Sequence, residues 1–307
     1  MKQAIVTGAG GFIGRALVEE LLQHNYRVFA VLRGAGSNPW SHREDVVAVS
    51  CDLSHIANLE TLIPNQNIHL FFHLAWEGIS EGERSNLPLQ LQNIQWAVDC
   101  VEVAANLGCR RMICAGSICE KEVLVTLEAQ GNPLPRSYLY GSAKLTAHCM
   151  CSAVAGHRGI ELLWPIITNA YGVGERSARL VNQSIRNMLQ GKPLRFTKAT
   201  QYYDFVYITD VARALRLIGE RGKPFCEYLI GSSSPRPLRE FLMEMRDVVA
   251  PEGNLEFGAL PFTGEGLPLS VFDCRQTLQD TGFRPEVSFA QGIRQTADWI
   301  QKSLSKP

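Results

Sequence analysis

Residues 2–32 read KQAIVTGAGGFIGRALVEELLQHNYRVFAVL, and this stretch decides the fold. An apolar β-rich run stops at Thr7, a turn carries Gly8, Gly11 and Gly14, an amphipathic segment follows, and a second β-rich run begins at Tyr26. Each glycine has a physical use. The first permits a tight turn, the second lets backbone approach a diphosphate, and the third allows close helix–strand packing. The triplet lies at the mouth of a helix directly after a strand, the context in which oriented N–H groups receive phosphate, so it predicts a dinucleotide site.

Working outward, short β-rich runs continue to alternate with longer amphipathic ones. VVAVS, IHLFFHLA and RRMICAGS are strand-like, Leu87–Leu107 carries apolar residues at helical spacing, and a further helix is expected from Tyr138 to Ala155. Such alternation predicts an α/β fold, a Rossmann-type doubly wound parallel sheet covered on both faces, with a smaller C-terminal α/β substrate lobe. The dinucleotide-binding domain is expected to comprise residues 1–164 and about 204–222, with DFVYITDVARALRLI returning to the main sheet. The substrate lobe takes about 165–203 and 223–307.

Thirty basic residues balance thirty acidic ones without a long run of either sign, which argues against nucleic acid or an anionic membrane surface as partner. The N-terminal apolar run is too short for a signal peptide or a membrane span, so a cytoplasmic protein acting on a small molecule is expected. Nine scattered cysteines without a CxxC pair predict free thiols rather than a disulfide or zinc framework, and no metal site is expected.

The second strand ends at Arg33, with no acidic residue before Glu44. An acid there would hold the ribose 2′-hydroxyl of NAD. Arg33, with Ser37 or Asn38, suits the 2′-phosphate of NADP instead, and an exposed surface arginine is the alternative. Asp52 either caps the next turn or contacts adenine. Further on, YLYGSAK puts Tyr140 and Lys144 at i and i+4, on one face of a helix. That pair is either an acid–base centre or an ordinary amphipathic face with a snorkelling lysine.

Taken in order, TGAGGFIG, the CDL around Asp52, HLAW from His73 to Trp76, Asn93, Ser117 in ICAGSICE, YGSAK, NAYG from Asn169 to Gly172, YDFVYITDVARA and the FDC…TGFRP pair resemble the extended short-chain dehydrogenase/reductase family. This is its NAD(P)-dependent epimerase/dehydratase group, acting largely on nucleotide sugars, and the resemblance spans nearly the whole chain. It implies cofactor contacts from Gly8, Gly11, Phe12, Ile13 and Gly14 in the turn, from Arg33, Asp52 and Leu53 at the adenosine end, and from Leu74, Ala75, Pro165, Tyr140 and Lys144 toward the nicotinamide. It further implies a catalytic Ser117, Tyr140 and Lys144, in which positive charge from Lys144 and the nicotinamide lowers the Tyr140 pKa and Ser117 donates to the substrate oxygen. Trp76, Glu120, Asn169 and Tyr203 are the substrate candidates. His73 is expected to hold the cofactor loop, Cys114 and Cys119 to pack, with Cys119 able to face substrate.

Two departures bear on the reaction. Family dehydratases place acid directly or two residues after the catalytic Ser/Thr, whereas here Glu120 comes third, which disfavours dehydration and resembles ketoreductase-like members. The RDF-type motif has Tyr203 in place of its arginine, which often grips the nucleotide, leaving Arg176, Arg179, Arg195, Arg236 or Arg275 to compensate. A nucleotide-sugar ketoreductase using NADP, or NAD, is therefore expected, with a nucleotide-sugar epimerase and a non-catalytic NADP-binding sensor or scaffold as alternatives. The two long helices resemble those that pair across a two-fold axis in the family. A homodimer is expected; Trp96, Val103 and Met150 either extend its apolar surface or, the more cautious assignment for each, pack in the core.

Overall fold

The computed structural model describes residues 1–34, 38–64, 67–80, 82–129, 131, 133–262 and 266–304. The chain opens with β1 (Lys2–Thr7), α1 (Phe12–Gln23), β2 (Tyr26–Leu32) and β3 (Val46–Ser50). It continues through α2 (Leu59–Leu62), β4 (Ile68–His73), α3 (Leu87–Asn106), β5 (Arg111–Cys114) and β6 (Gly116–Ser117). Then come α4 (Cys119–Glu128), α5 (Leu139–Arg158), β7 (Glu161–Ile167), β8 (Asn169–Tyr171), α6 (Leu180–Leu189) and β9 (Leu194–Phe196). The last part holds β10 (Tyr202–Tyr203), β11 (Phe205–Tyr207), α7 (Ile208–Arg221), β12 (Glu227–Ile230), β13 (Arg236–Pro237), α8 (Leu238–Val249), β14 (Leu255–Phe257), α9 (Arg275–Thr281) and α10 (Phe289–Leu304).

Among the described residues the main sheet runs β12-β7-β5-β4-β1-β2-β3, with β6 also on β7, and every pairing is parallel. Strand β1 illustrates how side-chain alternation builds two cores. Ile5 packs into the core beneath α3 and α5, while Ala4 and Val6 pack with Leu17 and Leu21 of α1 and Val211 and Leu215 of α7 on the other face. Strand order reverses between β1 and β4, and the carboxyl ends of those strands open a crevice there, the usual ligand position of a doubly wound sheet.

The two long helices start and stop for local reasons. The Asn86 side chain accepts from the Leu89 N–H and Pro88 occupies the first turn of α3, while α5 ends at Gly159, whose φ of 71° is left-handed. Small residues Ala143, Ala147, Cys151 and Ala155 line the buried side of α5 toward Ala97, Cys100, Val101 and Ala104 of α3.

Two segments sit elsewhere than the strand pattern suggests. Phe205–Tyr207 pairs in parallel with Asn169–Tyr171 as a separate two-stranded sheet, while Glu227–Ile230, expected in the substrate lobe, adds the outer strand beyond β7. The buried Asp204 explains the link between them, because its carboxylate accepts from the Ser232 N–H (3.0 and 2.9 Å) and the Ser232 hydroxyl just past β12. A third apolar cluster, built from α6, α8, α10 and the β8–β11 pair, forms the core of the remaining C-terminal structure around Phe205, Phe241 and Ile293. Among the described residues no helix is long and apolar enough to cross a membrane.

Candidate functional site

The turn after β1 is held by the Gly11 N–H donating to the Gly8 carbonyl at 2.9 Å. Gly8 has φ +69°, and a Cβ on it would meet Ala75 N at 2.8 Å. A Cβ on Gly14 would collide with the Gly8 carbonyl oxygen, so both positions demand glycine for conformation or for space. These close approaches shape a cleft of about 720 Å³ lined by Gly8, Gly11, Phe12, Ile13, Gly14, Arg33, Asp52, Leu53, Leu74, Ala75 and Trp76. Its size, its glycine-lined floor and the N-terminus of α1 opening onto it fit a dinucleotide.

At the adenosine end Asp52 accepts from the Ser54 N–H (2.9 Å) and hydroxyl (2.7 Å), so it caps the turn, and these hydrogen bonds hold its carboxyl below the usual carboxylate range. Arg33 lines the cleft with an ion pair to Glu77 at 2.6 Å, reaching from the end of β2 to the end of β4. Asn38 accepts from the Trp40 N–H at 2.9 Å as a turn residue, and Ser37 lies outside the described residues.

His73 is buried at the end of β4 and hydrogen-bonds Thr7 Oγ1 through Nδ1 at 2.9 Å. Burial, with Lys144 nearby, lowers its pKa to about 3, so the ring is neutral and ties the two strands that flank the crevice.

Trp76 stands between the cleft and α5. The Lys144 ammonium lies 3.8 Å from its ring centroid, Tyr140 meets it edge to face at 6.1 Å, and its Nε1–H donates to Gln90 at 3.0 Å. Lys144 also donates to the Ala115 carbonyl at 2.8 Å, where β5 ends. Ser117 lies close enough to the Tyr140 phenol to act on its pKa, which it lowers. The expected trio is thus brought together beside the cleft.

Burial dominates the electrostatics that the protein's own groups impose on Tyr140 and Lys144. Burial pushes the Tyr140 phenol up to about 12, and the cations that oppose this are Arg84 and Arg179, while burial lowers the Lys144 pKa. Among the protein's own groups desolvation outweighs positive charge at Tyr140.

The placing of Glu120 is corrected. It is 1% exposed and turned away from Tyr140, accepting from the Ser117 N–H at 2.8 Å and from Trp164 Nε1–H at 3.1 Å, with His148 3.8 Å away and stacked on Trp164. Burial raises its pKa. Its place is behind Ser117, and the glycine at 116 leaves room for it, since a Cβ there would meet both Trp164 Nε1 and Glu120 Oε1.

Pro165 is absent from the lining of the cleft. It is buried inside β7 where that strand's neighbour changes from β5, paired through Leu163, to β6, paired through Ile166. The missing N–H falls at this break in the ladder, which is how a proline is accommodated in a central strand. Asn169 uses its amide on the Asp204 carbonyl at 3.1 Å. Tyr203 stacks on Phe205 and lies within electrostatic reach of Glu122, Cys119 and Arg84, its pKa raised by burial to about 12.

Of the arginines offered as substitutes for the missing motif arginine, Arg195, Arg236 and Arg275 are paired to Glu256, Glu244 and Asp273. Arg179 stands at the start of α6, 4.0 Å from Glu175, on the rim of the cleft. The residue that sequence reasoning missed is Arg84, whose guanidinium carbon lies 4.6 Å from the Tyr140 ring centroid. A single arginine in a polar turn carries no periodic or motif signal.

A family model described as the NAD dependent epimerase/dehydratase family matches residues 4–231. The chain is 24% identical over 336 residues to a dTDP-glucose 4,6-dehydratase of Haemophilus influenzae, covering 97% of this chain and 98% of that protein. It is 26% identical over 265 residues to a dTDP-6-deoxy-L-talose 4-dehydrogenase (NAD(+)) of Aggregatibacter actinomycetemcomitans, covering 82% and 93%. Among solved structures it is similar to a UDP-N-acetylglucosamine 4-epimerase from Methanobrevibacter ruminantium M1 in complex with UDP-N-acetylmuramic acid, with a TM-score of 0.81, 20% identity and coverage of 98% and 99%.

Proposed function

The chain belongs to the NAD dependent epimerase/dehydratase family, and from that premise we propose that it is a nucleotide-sugar ketoreductase. The nicotinamide supplies the hydride; the chain's residues bind, orient and move the proton. Tyr140 gives its phenolic proton to the carbonyl oxygen, Ser117 holds that oxygen, and Lys144 and Trp76 fix the geometry on the cofactor side. The observation that carries this reading is the buried Tyr140 packed edge to face on Trp76, a wall of the glycine-lined cleft, with Lys144 on the same ring. Glu120 supports the same choice, since its carboxyl is spent on Ser117 N–H and Trp164 and does not face the reacting centre as a dehydratase acid would. Similarity to an NAD(+)-linked 4-dehydrogenase of a deoxysugar nucleotide, whose reverse reaction is a ketoreduction, points the same way.

The reading includes NADP as the preferred cofactor, bound at its 2′-phosphate by Arg33 released from Glu77, a homodimer, and a division of the chain into cofactor and substrate regions. The test is anaerobic incubation with NADPH or NADH and a panel of nucleotide-linked 4-keto sugars. Stoichiometric loss of 340-nm absorbance with formation of the hydroxy sugar is expected. Interconversion of nucleotide sugars without net cofactor use identifies an epimerase instead, and dinucleotide binding without turnover on either class of substrate leaves a sensor or scaffold.

A further inference from the structure

We propose that Arg84 receives an acidic substituent on the sugar ring, so that the substrate is a nucleotide-linked sugar with a carboxylate next to the reacting carbon. This inference rests on the nucleotide-sugar reading above. Arg84 lies in the short 3-10 turn Glu83–Ser85 between β4 and α3. The turn is a built feature: the Arg84 N–H donates to the Ser80 carbonyl at 3.0 Å, and the buried Gln90 amide donates to the Gly78 carbonyl at 3.1 Å and the Glu83 carbonyl at 3.2 Å. Gln90 is also the acceptor for Trp76, so the turn and the wall of the catalytic centre share one anchor.

The Arg84 guanidinium lies over the Tyr140 ring, and its Nε is buried without a hydrogen-bond acceptor. Among the described residues it makes no side-chain hydrogen bond or ion pair, in contrast with Arg195, Arg236 and Arg275. The acid within electrostatic reach is Glu122, whose pKa burial raises and which makes no ion pair with Arg84 among the described residues. A part-buried guanidinium without an anion is costly, and its planar donor fork matches a carboxylate.

Geometry selects which anion. The Tyr140 hydroxyl must come within about 2.6–3.2 Å of the oxygen on the reacting carbon. A guanidinium lying over that same phenol therefore meets a substituent on the reacting carbon or its neighbour. The diphosphate, on the anomeric carbon, lies across the ring.

The test is calorimetric titration of the dinucleotide-loaded protein with UDP-glucuronate, UDP-glucose and the two dTDP counterparts, for the native chain, Arg84→Met and Arg84→Lys. Thermal unfolding and dinucleotide affinity report whether each variant is folded. The native protein is expected to favour the glucuronate of a pair by at least roughly 10-fold, and Arg84→Met to weaken that sugar by roughly 10–100-fold while changing the glucose form by less than about 3-fold. Arg84→Lys should fall between them. Equal weakening of both sugars and of UDP alone would assign Arg84 to the diphosphate and overturn the proposal. So would a native protein without preference, or an Arg84→Met variant that binds both sugars as before and differs only in the pH profile of turnover. Failure of all four sugars to bind overturns the nucleotide-sugar reading, and this inference with it.

Discussion

Tyr140 shows how much of a proposed proton donor's character is environmental. Its ring is held between Trp76 and Arg84, and burial raises the pKa of the phenol. Tyr140→Phe retains those ring contacts and removes only the proton, so dinucleotide affinity should persist while turnover falls by roughly 10²–10⁴-fold, measured as NAD(P)H loss on an authentic keto sugar. Near-native turnover would remove Tyr140 from the mechanism. At the other end of the cleft, Arg33→Ala should weaken NADPH by roughly 10–100-fold and NADH far less, because a charge-assisted phosphate contact contributes about 1.5–3 kcal/mol. Calorimetry that finds both cofactors affected alike would sink the phosphate assignment. Tyr140, Lys144 and Arg33 were legible because motif and spacing mark them. The inward turn of Glu120 and the approach of Arg84 were not, since each depends on a neighbour distant in sequence: Trp164 for one, Tyr140 for the other.

Among the elements, the β1–α1 turn is the part whose construction most directly serves binding. Gly14→Ala would press a methyl group onto the Gly8 carbonyl and Ala9, so the turn must open. We expect a loss of about 1–3 kcal/mol in stability, from overpacking, and at least a tenfold loss of dinucleotide affinity, read by chemical denaturation and titration; unchanged affinity would contradict the proposed cradle. The neighbouring tie between β1 and β4 is pH-sensitive. The folded pKa of His73, about 3, lies below the unfolded value near 6.5, so the unfolded chain binds the proton more readily. The stability this group contributes is complete above pH ~6.5 and is lost as pH falls toward 3, at up to ~1.4 kcal/mol per pH unit. His73→Asn does not titrate, and its denaturation midpoints should fall less steeply than the native ones across that window. Parallel curves would show that His73 is not the group responsible. The strands β2 and β3 were readable to the residue from their apolar runs. The short run at Phe205–Tyr207 was not, because three β-prone residues suit either sheet and the Asp204–Ser232 contact chooses the partner.

For the whole molecule, association depends on which parts of α3 and α5 stay exposed. Trp96 and Val103 are 8% and 2% exposed and take the core assignment, the more cautious of the two the sequence allowed, whereas Met150 is 50% exposed and Leu91 56%. Period alone identifies the apolar side of a helix without saying how far a neighbour covers it. If α3 and α5 form the dimer surface, light scattering should give twice the mass of one chain, and Met150→Glu should shift it toward the monomer with little change in thermal midpoint, since the side chain is outside the core. A native monomer would remove the dimer. The sequence by itself determined the alternation of strands and helices, the glycine turn, the Tyr140–Lys144 pair and the family, because each is encoded by residues close in the chain or by their order along it. Tertiary structure alone decided that Glu120 faces inward, that Pro165 fills a break in a ladder, that Glu227–Ile230 completes the sheet, and that Arg84 lies over the Tyr140 ring. Those outcomes depend on burial and on contacts between residues far apart in the chain, which no local pattern contains.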